Sequence, residues 1–270
     1  MYKTLILRTL LFVPGTQLEL IPKAFATKAD GVIVDWEDAV EADKKASVRQ
    51  SLANYEGPPI WLRLNSASSP EHEADLQAAA ELSCLIGVLL PKTETSADVR
   101  RVADKLGKPV IAVIESAKGM VALPQIAHAK GLSGLSFGCL DLANELGLKK
   151  GSAAAEMFFC RLRTDLLIHS AANGLMRPID SSYPDFNNEA GLLKRLSQWR
   201  DLGFGGMLCI HPSQVPLVHE ALRATAEELA FARKVCQTAD ETGSAVFNVD
   251  GQMIDLPVIV SARRLLQENA

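Results

Sequence analysis

The sequence has no Cys-x-x-Cys spacing, few aromatic residues (6 %), no excess of positive charge and no apolar run long enough to span a bilayer. Each shortage removes a class of function. The five cysteines, Cys84, Cys139, Cys160, Cys209 and Cys236, are scattered, which fits neither a disulfide framework nor a zinc site and suggests reduced thiols in the cytoplasm. A net charge of -4, with pI near 5.8, supplies no basic field, so nucleic acid is not an expected partner and a polyanionic ligand needs a local cluster. Leu5 to Val13 is apolar but interrupted by Arg8 and lacks a small-residue cleavage signal, so neither a signal peptide nor a membrane anchor is expected.

What is present is a chain of 270 residues, 48 % hydrophobic, long enough to bury roughly three quarters of its extended surface without staples. Short apolar runs alternate with helical stretches. The runs Leu10–Pro14, Gly31–Glu37, Pro59–Asn65, Ile86–Lys92, Pro109–Glu115, the run ending on Asp141, Met176–Asp180 and Gly205–Ile210 each precede a helical segment. Eight β-then-α units rich in Val, Ile and Leu argue for a closed (β/α)₈ TIM barrel over residues 1–223. An open doubly wound sheet is the competitor, but no G-x-G-x-x-G follows the first run. Residues 224–270 are of another kind: an amphipathic helix over 227–241, a turn-rich stretch, and a last helix over 256–268. They suggest a C-terminal helical lid or an arm packing on a neighbouring subunit.

Barrel chemistry belongs at the C-terminal ends of the strands, so the residues that close the runs are the candidates. Glu115 and Asp141 end consecutive runs, with Ser116–Lys130 between them as a helix. Neighbouring parallel strands would bring the two anions together, where they repel unless one is protonated or a cation bridges them. Such an oxygen pair suits Mg²⁺, which keeps waters and accepts substrate oxygens; either acid could instead cap the following helix. Alternation puts Asp35 and Glu37 on one face and Asp38 on the other, either as a solvated acidic turn or as groups that orient a metal's waters. Arg63, between Leu62 and Leu64, offers a planar fork for a substrate carboxylate or for an ion pair with Asp35 or Glu37. Lys92 is either a Schiff-base amine, which needs a depressed pKa, or a salt-bridged ammonium, favoured by the surrounding acids. His211, before Pro212, is a base, a ligand or a loop-bonding ring. Asp250 and Asp255 lie in the tail, Asp255 at an N-cap position or as a mobile acid delivered to the barrel mouth.

These residues recur in one order. Arg8 with Leu11-Phe12-Val13-Pro14-Gly15, then Asp35-Trp36-Glu37-Asp38-Ala39-Val40, Arg63-Leu64-Asn65, Leu90-Pro91-Lys92, Ile114-Glu115-Ser116, Phe137-Gly138 with Asp141-Leu142-Ala143, Ile210-His211-Pro212 and Val249 to Asp255 together resemble the citrate lyase β-subunit-like family of the HpcH/HpaI aldolase and citrate lyase superfamily. The match runs over essentially the whole chain.

The resemblance implies a Mg²⁺-dependent barrel enzyme, a homotrimer or hexamer, that cleaves a citryl-, malyl- or citramalyl-CoA to an acyl-CoA and a 2-oxoacid. It implies Glu115 and Asp141 as metal ligands, Glu115 also facing substrate, and Arg63 holding the oxoacid carboxylate. Glu37 and Asp38 would order metal-bound water, Asp255 would be the catalytic acid or base of the lid, and Arg8 a contact for CoA phosphates, with Lys92 also in the binding set. The segment Gly138-Cys139-Leu140-Asp141 lacks the acid that many relatives place just before the metal-binding Asp, which leaves the substrate preference open. The alternatives are a malate-synthase-type thioesterase or condensing enzyme, and a non-catalytic protein that binds acyl-CoA or oxoacid.

Overall fold

The structure, a computed structural model, describes residues 6–269. The chain divides into two compact units, the first ending at Ala221 and the second beginning at Leu222. In the first, eight strands form one parallel sheet: β1 Thr9–Pro14, β2 Gly31–Asp35, β3 Ile60–Arg63, β4 Leu85–Leu90, β5 Val110–Ile114, β6 Leu132–Phe137, β7 Ile179–Asp180 and β8 Gly206–Cys209. β1 pairs with both β2 and β8, so the sheet curls into a nearly closed (β/α)₈ barrel. At the remaining seam, the Met176 N–H donates to the Ser133 carbonyl at 3.0 Å.

Strand alternation sorts the core. Leu10, Ile33, Trp61, Leu89, Ile111, Val113, Ile179 and Leu208 pack as one buried cluster that fills the barrel, with Phe12 and Met176 against it. Their neighbours Val32, Val34, Leu62 and Val88, equally buried, turn to the surrounding helices. One further step along the inward parity from Ile33, Trp61 and Val113 reaches Asp35, Arg63 and Glu115, so the site sits at the C-terminal ends of β2, β3 and β5.

Several boundaries differ from the sequence reading. β2 stops at Asp35 and β3 at Arg63, because the next backbone donors leave the ladder: Glu37 N–H donates to Asp35 Oδ1 and Asn65 N–H to Asp75 Oδ2. β7 is only Ile179–Asp180, since Pro178 has no N–H for a ladder. The expected helix over 116–130 is two short ones, Ala117–Val121 and Leu123–Ala127, because Pro124 at the second start removes a donor from a continuous helix. β6 ends at Phe137, and Asp141 stands in the first turn of the helix Cys139–Glu145 rather than on a strand.

In the second unit, the helix Ala226–Thr242 opens on a capping box between Thr225 and Glu228. β9 Phe247–Val249 and β10 Gln252–Ile254 follow as an antiparallel hairpin, whose Asp250 and Gly251 have φ of 50° and 83°, the left-handed pair of a two-residue turn. The helix Leu256–Glu268 completes a small core of Ala232, Val235, Ala239, Val249, Ile254, Ile259 and Ala262. Among the described residues no helix is long and apolar enough to cross a membrane.

Candidate active site

A cavity of 410 Å³ opens at the strand ends, with Asp35, Asp38, Arg63, Glu115 and Asp141 in its wall and Phe12, Val113, Phe137 and Leu208 as its apolar lining. Arg63 is its cationic centre. The guanidinium donates from Nε to Asp35 Oδ1 at 2.8 Å and from Nη2 to Asp35 Oδ2 at 2.6 Å, a two-point contact. Nη1 lies 3.1 Å from Glu37 Oε2 and 3.6 Å from Asp38 Oδ2, and the group stacks over the Phe12 ring at 4.9 Å. Burial opposes its charge, but Asp35 and Glu37 more than offset that and hold its pKa above the ordinary arginine value.

Glu37 and Asp38, expected on opposite faces, both face Arg63 and Lys92, because alternation lapses where β2 ends. Lys92 Nζ donates to Glu37 Oε1 at 2.5 Å and to Asp38 Oδ1 at 3.3 Å. Burial lowers the Lys92 pKa, but the Glu37 hydrogen bond together with the charges of Glu37, Glu115 and Asp38 raises it by more, so it stands above the usual lysine value. That is a salt-bridged ammonium, the opposite of what a Schiff-base amine requires. Lys92 also has a left-handed backbone (φ 46°), which turns its N–H onto Glu115 Oε2 at 3.1 Å.

Glu115 is 6 % exposed, and its pKa is pushed up to about 8, first by burial and then by the charge of Glu37, against the pull of Arg63 and Lys92; Asp141 adds to the rise. Gly138 makes room for it. A β-carbon at 138 would lie 2.5 Å from Glu115 Oε1. Glu115 and Asp141 both line this cavity, and carboxylate oxygens of that kind could hold Mg²⁺. Among the described residues there is no cluster of three or more His, Cys, Asp or Glu placed to hold a metal.

Arg8 and His211 are not among the residues lining the cavity, and Asp250 and Asp255 belong to the second unit. Arg8 immediately precedes β1, at the end of the barrel away from the cavity. His211 bonds Ser213 through Nδ1 at 2.7 Å and stacks on Phe186, a loop-bonding role. Asp250 sits in the hairpin turn and pairs with Lys234 at 2.8 Å. Asp255, in the second unit, is the N-cap of Leu256–Glu268 and accepts from the Val258 N–H.

Sequence reasoning missed Lys45. Its buried Nζ donates to the carbonyls of Trp36 (2.7 Å) and Glu37 (2.6 Å) and to Asn65 Oδ1 (2.8 Å), which fastens the β2 and β3 end loops together from beneath. Asn65 in turn donates to Asp75, itself paired with Arg49. The signal was there: Lys45, Val48 and Leu52 share the buried face of the helix Lys45–Ala53.

The site is thus a (β/α)₈ barrel mouth whose acidic strand ends surround a buried guanidinium. The chain belongs to the HpcH/HpaI aldolase/citrate lyase family, whose model matches residues 8–212. It is 30 % identical to the citrate lyase subunit beta of Escherichia coli K12, over 98 % of this chain and 93 % of the relative. It is 32 % identical to a (3S)-malyl-CoA thioesterase of Cereibacter sphaeroides, over 96 % and 93 %. The fold superposes on the CitE protein of Mycobacterium tuberculosis, solved with magnesium, acetoacetate and coenzyme A, with a TM-score of 0.83 at 31 % identity, covering 97 % of each chain.

Proposed function

We propose that this protein is a magnesium-dependent carbon–carbon lyase that splits a 3-hydroxyacyl-CoA of citramalyl, malyl or citryl type into an acyl-CoA and a 2-oxoacid. One observation carries the reading: Glu115 and Asp141 share a single cavity with the Arg63 guanidinium. Support comes from the family, from the citrate lyase and malyl-CoA relatives, and from the magnesium and coenzyme A bound to the mycobacterial protein.

Glu115 and Asp141 would hold the cation. Bound there, Mg²⁺ supplies Lewis-acid polarisation that eases loss of the substrate hydroxyl proton. Arg63, held by Asp35, Glu37 and Asp38 on the cavity wall, is the cation proposed to face the oxoacid carboxylate and fix the scissile bond. Lys92, held by Glu37 and Asp38, keeps these acids in place and lends positive charge at the rim. Phe12, Val113 and Phe137 exclude water from the breaking bond. Asp255, in its own or a neighbouring subunit, is the group proposed to take the hydroxyl proton. The C–O bond then becomes the oxoacid carbonyl as the Cα–Cβ bond breaks, its electron pair leaving on the thioester as an enolate, and the protonated Asp255 returns that proton to the enolate carbon. The exposed Met253, Leu256 and Val260 around it are suited to a trimer or hexamer contact.

The thioesterase relative favours a second reading, in which water releases the CoA thiol. A panel of malyl-, citramalyl- and citryl-CoA with Mg²⁺, read by mass spectrometry and a thiol reagent, separates them. Lyase activity gives acyl-CoA and oxoacid with no free thiol, whereas thioesterase activity gives thiol and hydroxyacid. Binding of the panel without turnover would overturn both.

A further inference from the structure

Resting on that reading, we propose that Arg195 is a positioning residue for the cation: it holds the loop after β7 against the helix Cys139–Glu145 and so fixes Asp141 relative to Glu115. That helix has no side-chain cap, because its N-cap residue is Gly138. Two hydrogen bonds seat it instead. The Gly138 N–H donates to the Ile114 carbonyl at 3.0 Å, next to Glu115, and the Cys139 N–H donates to Ser181 Oγ at 3.1 Å. Asp141 follows two residues later, in the first turn. The first bond alone would leave a pivot; the second sets the direction in which the helix departs.

That second bond is only as firm as Ser181, which lies just beyond a strand of two residues. Arg195, on the helix Glu189–Leu202, supplies the hold that so short a ladder lacks. Its Nε donates to Asp180 Oδ2 at 3.1 Å, Nη2 to the Ser181 carbonyl at 3.3 Å and Nη1 to the Ser182 carbonyl at 3.3 Å. The planar fork thus spans three consecutive residues, which the single nitrogen of a lysine cannot do. The Ser182 carbonyl also accepts from the Cys139 thiol at 3.8 Å, so loop and helix meet on one group. Arg163 is the natural comparison. It donates to the same Asp180 at 3.0 and 3.3 Å and lies over the Phe137 ring at 5.3 Å. Its loss loosens the packing around Asp180 while the Arg195 fork stays on the loop.

The experiment is calorimetric titration of the full chain with Mg²⁺ alone, beside a melting curve. In Arg195→Lys the Mg²⁺ dissociation constant is expected to rise about fivefold or more. Ser181→Ala, which removes the acceptor of the Cys139 N–H without disturbing a buried charge, is expected to shift it the same way, and the double variant no further than the larger single effect. Arg163→Lys is expected to lower the thermal midpoint at least as much as R195K, yet to leave the Mg²⁺ affinity within about twofold of the parent. In EDTA, the amides of residues 139–145 should take up deuterium faster in R195K than in the parent. Unchanged Mg²⁺ affinity or unchanged exchange in R195K, unchanged affinity in S181A should R195K not fold, equal weakening in R163K, or a parent that binds no Mg²⁺ would overturn the proposal. Because none of these measurements needs bond cleavage, failure of the lyase reading appears separately, as Mg²⁺ binding sensitive to R195K without turnover of any CoA thioester.

Discussion

The carboxylate of Glu115 lies against the α-carbon of Gly138, with room for a hydrogen there and nothing larger. The backbone of Gly138 (φ -104°, ψ 101°) is open to any residue, so Gly138→Ala adds a methyl group without conformational strain. The methyl must push Glu115 aside. The Mg²⁺ dissociation constant is expected to rise about 10- to 100-fold, with the thermal midpoint changed by only a few degrees. Calorimetry with Mg²⁺ alone, beside a melting curve, checks both.

Glu115 also makes metal-free stability depend on pH. Its folded pKa of about 8 lies above the ordinary 4.5, so the folded chain keeps a proton that the unfolded chain has lost. The stability contributed is complete below about pH 4.5 and is lost as the pH climbs to about 8. Urea denaturation in EDTA is expected to show a decline of a few kcal/mol across that window, absent in Glu115→Gln. Mg²⁺ binding at pH 7 should expel a proton, seen as a dependence of binding enthalpy on buffer ionisation heat.

Arg63 and Asp35 are buried as a pair, and removing one strands the other. Arg63→Ala is expected to cost about 3–5 kcal/mol of folding stability, whereas Asp35→Asn with Arg63→Met recovers a large part of it. Both proteins should lose oxoacid binding. Denaturant unfolding and pyruvate titration test the two halves independently.

For Asp255, the choice of substitution separates cap from chemistry. Asn caps helices as well as Asp, so Asp255→Asn should melt like the parent protein yet show kcat lowered about 100-fold or more. Asp255→Ala should in addition lose about 1 kcal/mol of stability through the cap. A normal kcat in D255N removes the residue from the reaction.

Much of the barrel was legible because strands buried on both faces must read as unbroken apolar runs, and the polar residue that ends each run marks the mouth. Asp35, Arg63 and Glu115 follow from that logic together with alternation. What lay beyond the strand ends did not. Alternation placed Asp38 away from Glu37, but a turn obeys no two-residue period. Asp141 was assigned to a strand because Gly138-Cys139-Leu140 looks apolar, although the helix Cys139–Glu145 begins there. Pro124 broke a helix that apolar spacing alone made continuous. Asp250-Gly251, between Val249 and Gln252, was a hairpin signal hidden by its short strands. The role of Gly138 lies in what it touches across the fold, which no local pattern reports; for Lys45 the helical spacing with Val48 and Leu52 reports its burial but not its partners.

The seam between β6 and β7 gives the barrel a weak meridian. β7 has only two residues and pairs in the ladder with β8; toward β6 the chain is joined by the Met176 N–H before β7 and by the Cys139 N–H to Ser181 Oγ after it. Deuterium should therefore enter β7 and the adjoining Ser181 and Cys139 well before β1 to β5. Those same residues form one side of the cavity, so the part of the wall nearest Leu140 is the part that can breathe, and ligands too wide for the resting opening have a direction in which to press it outward.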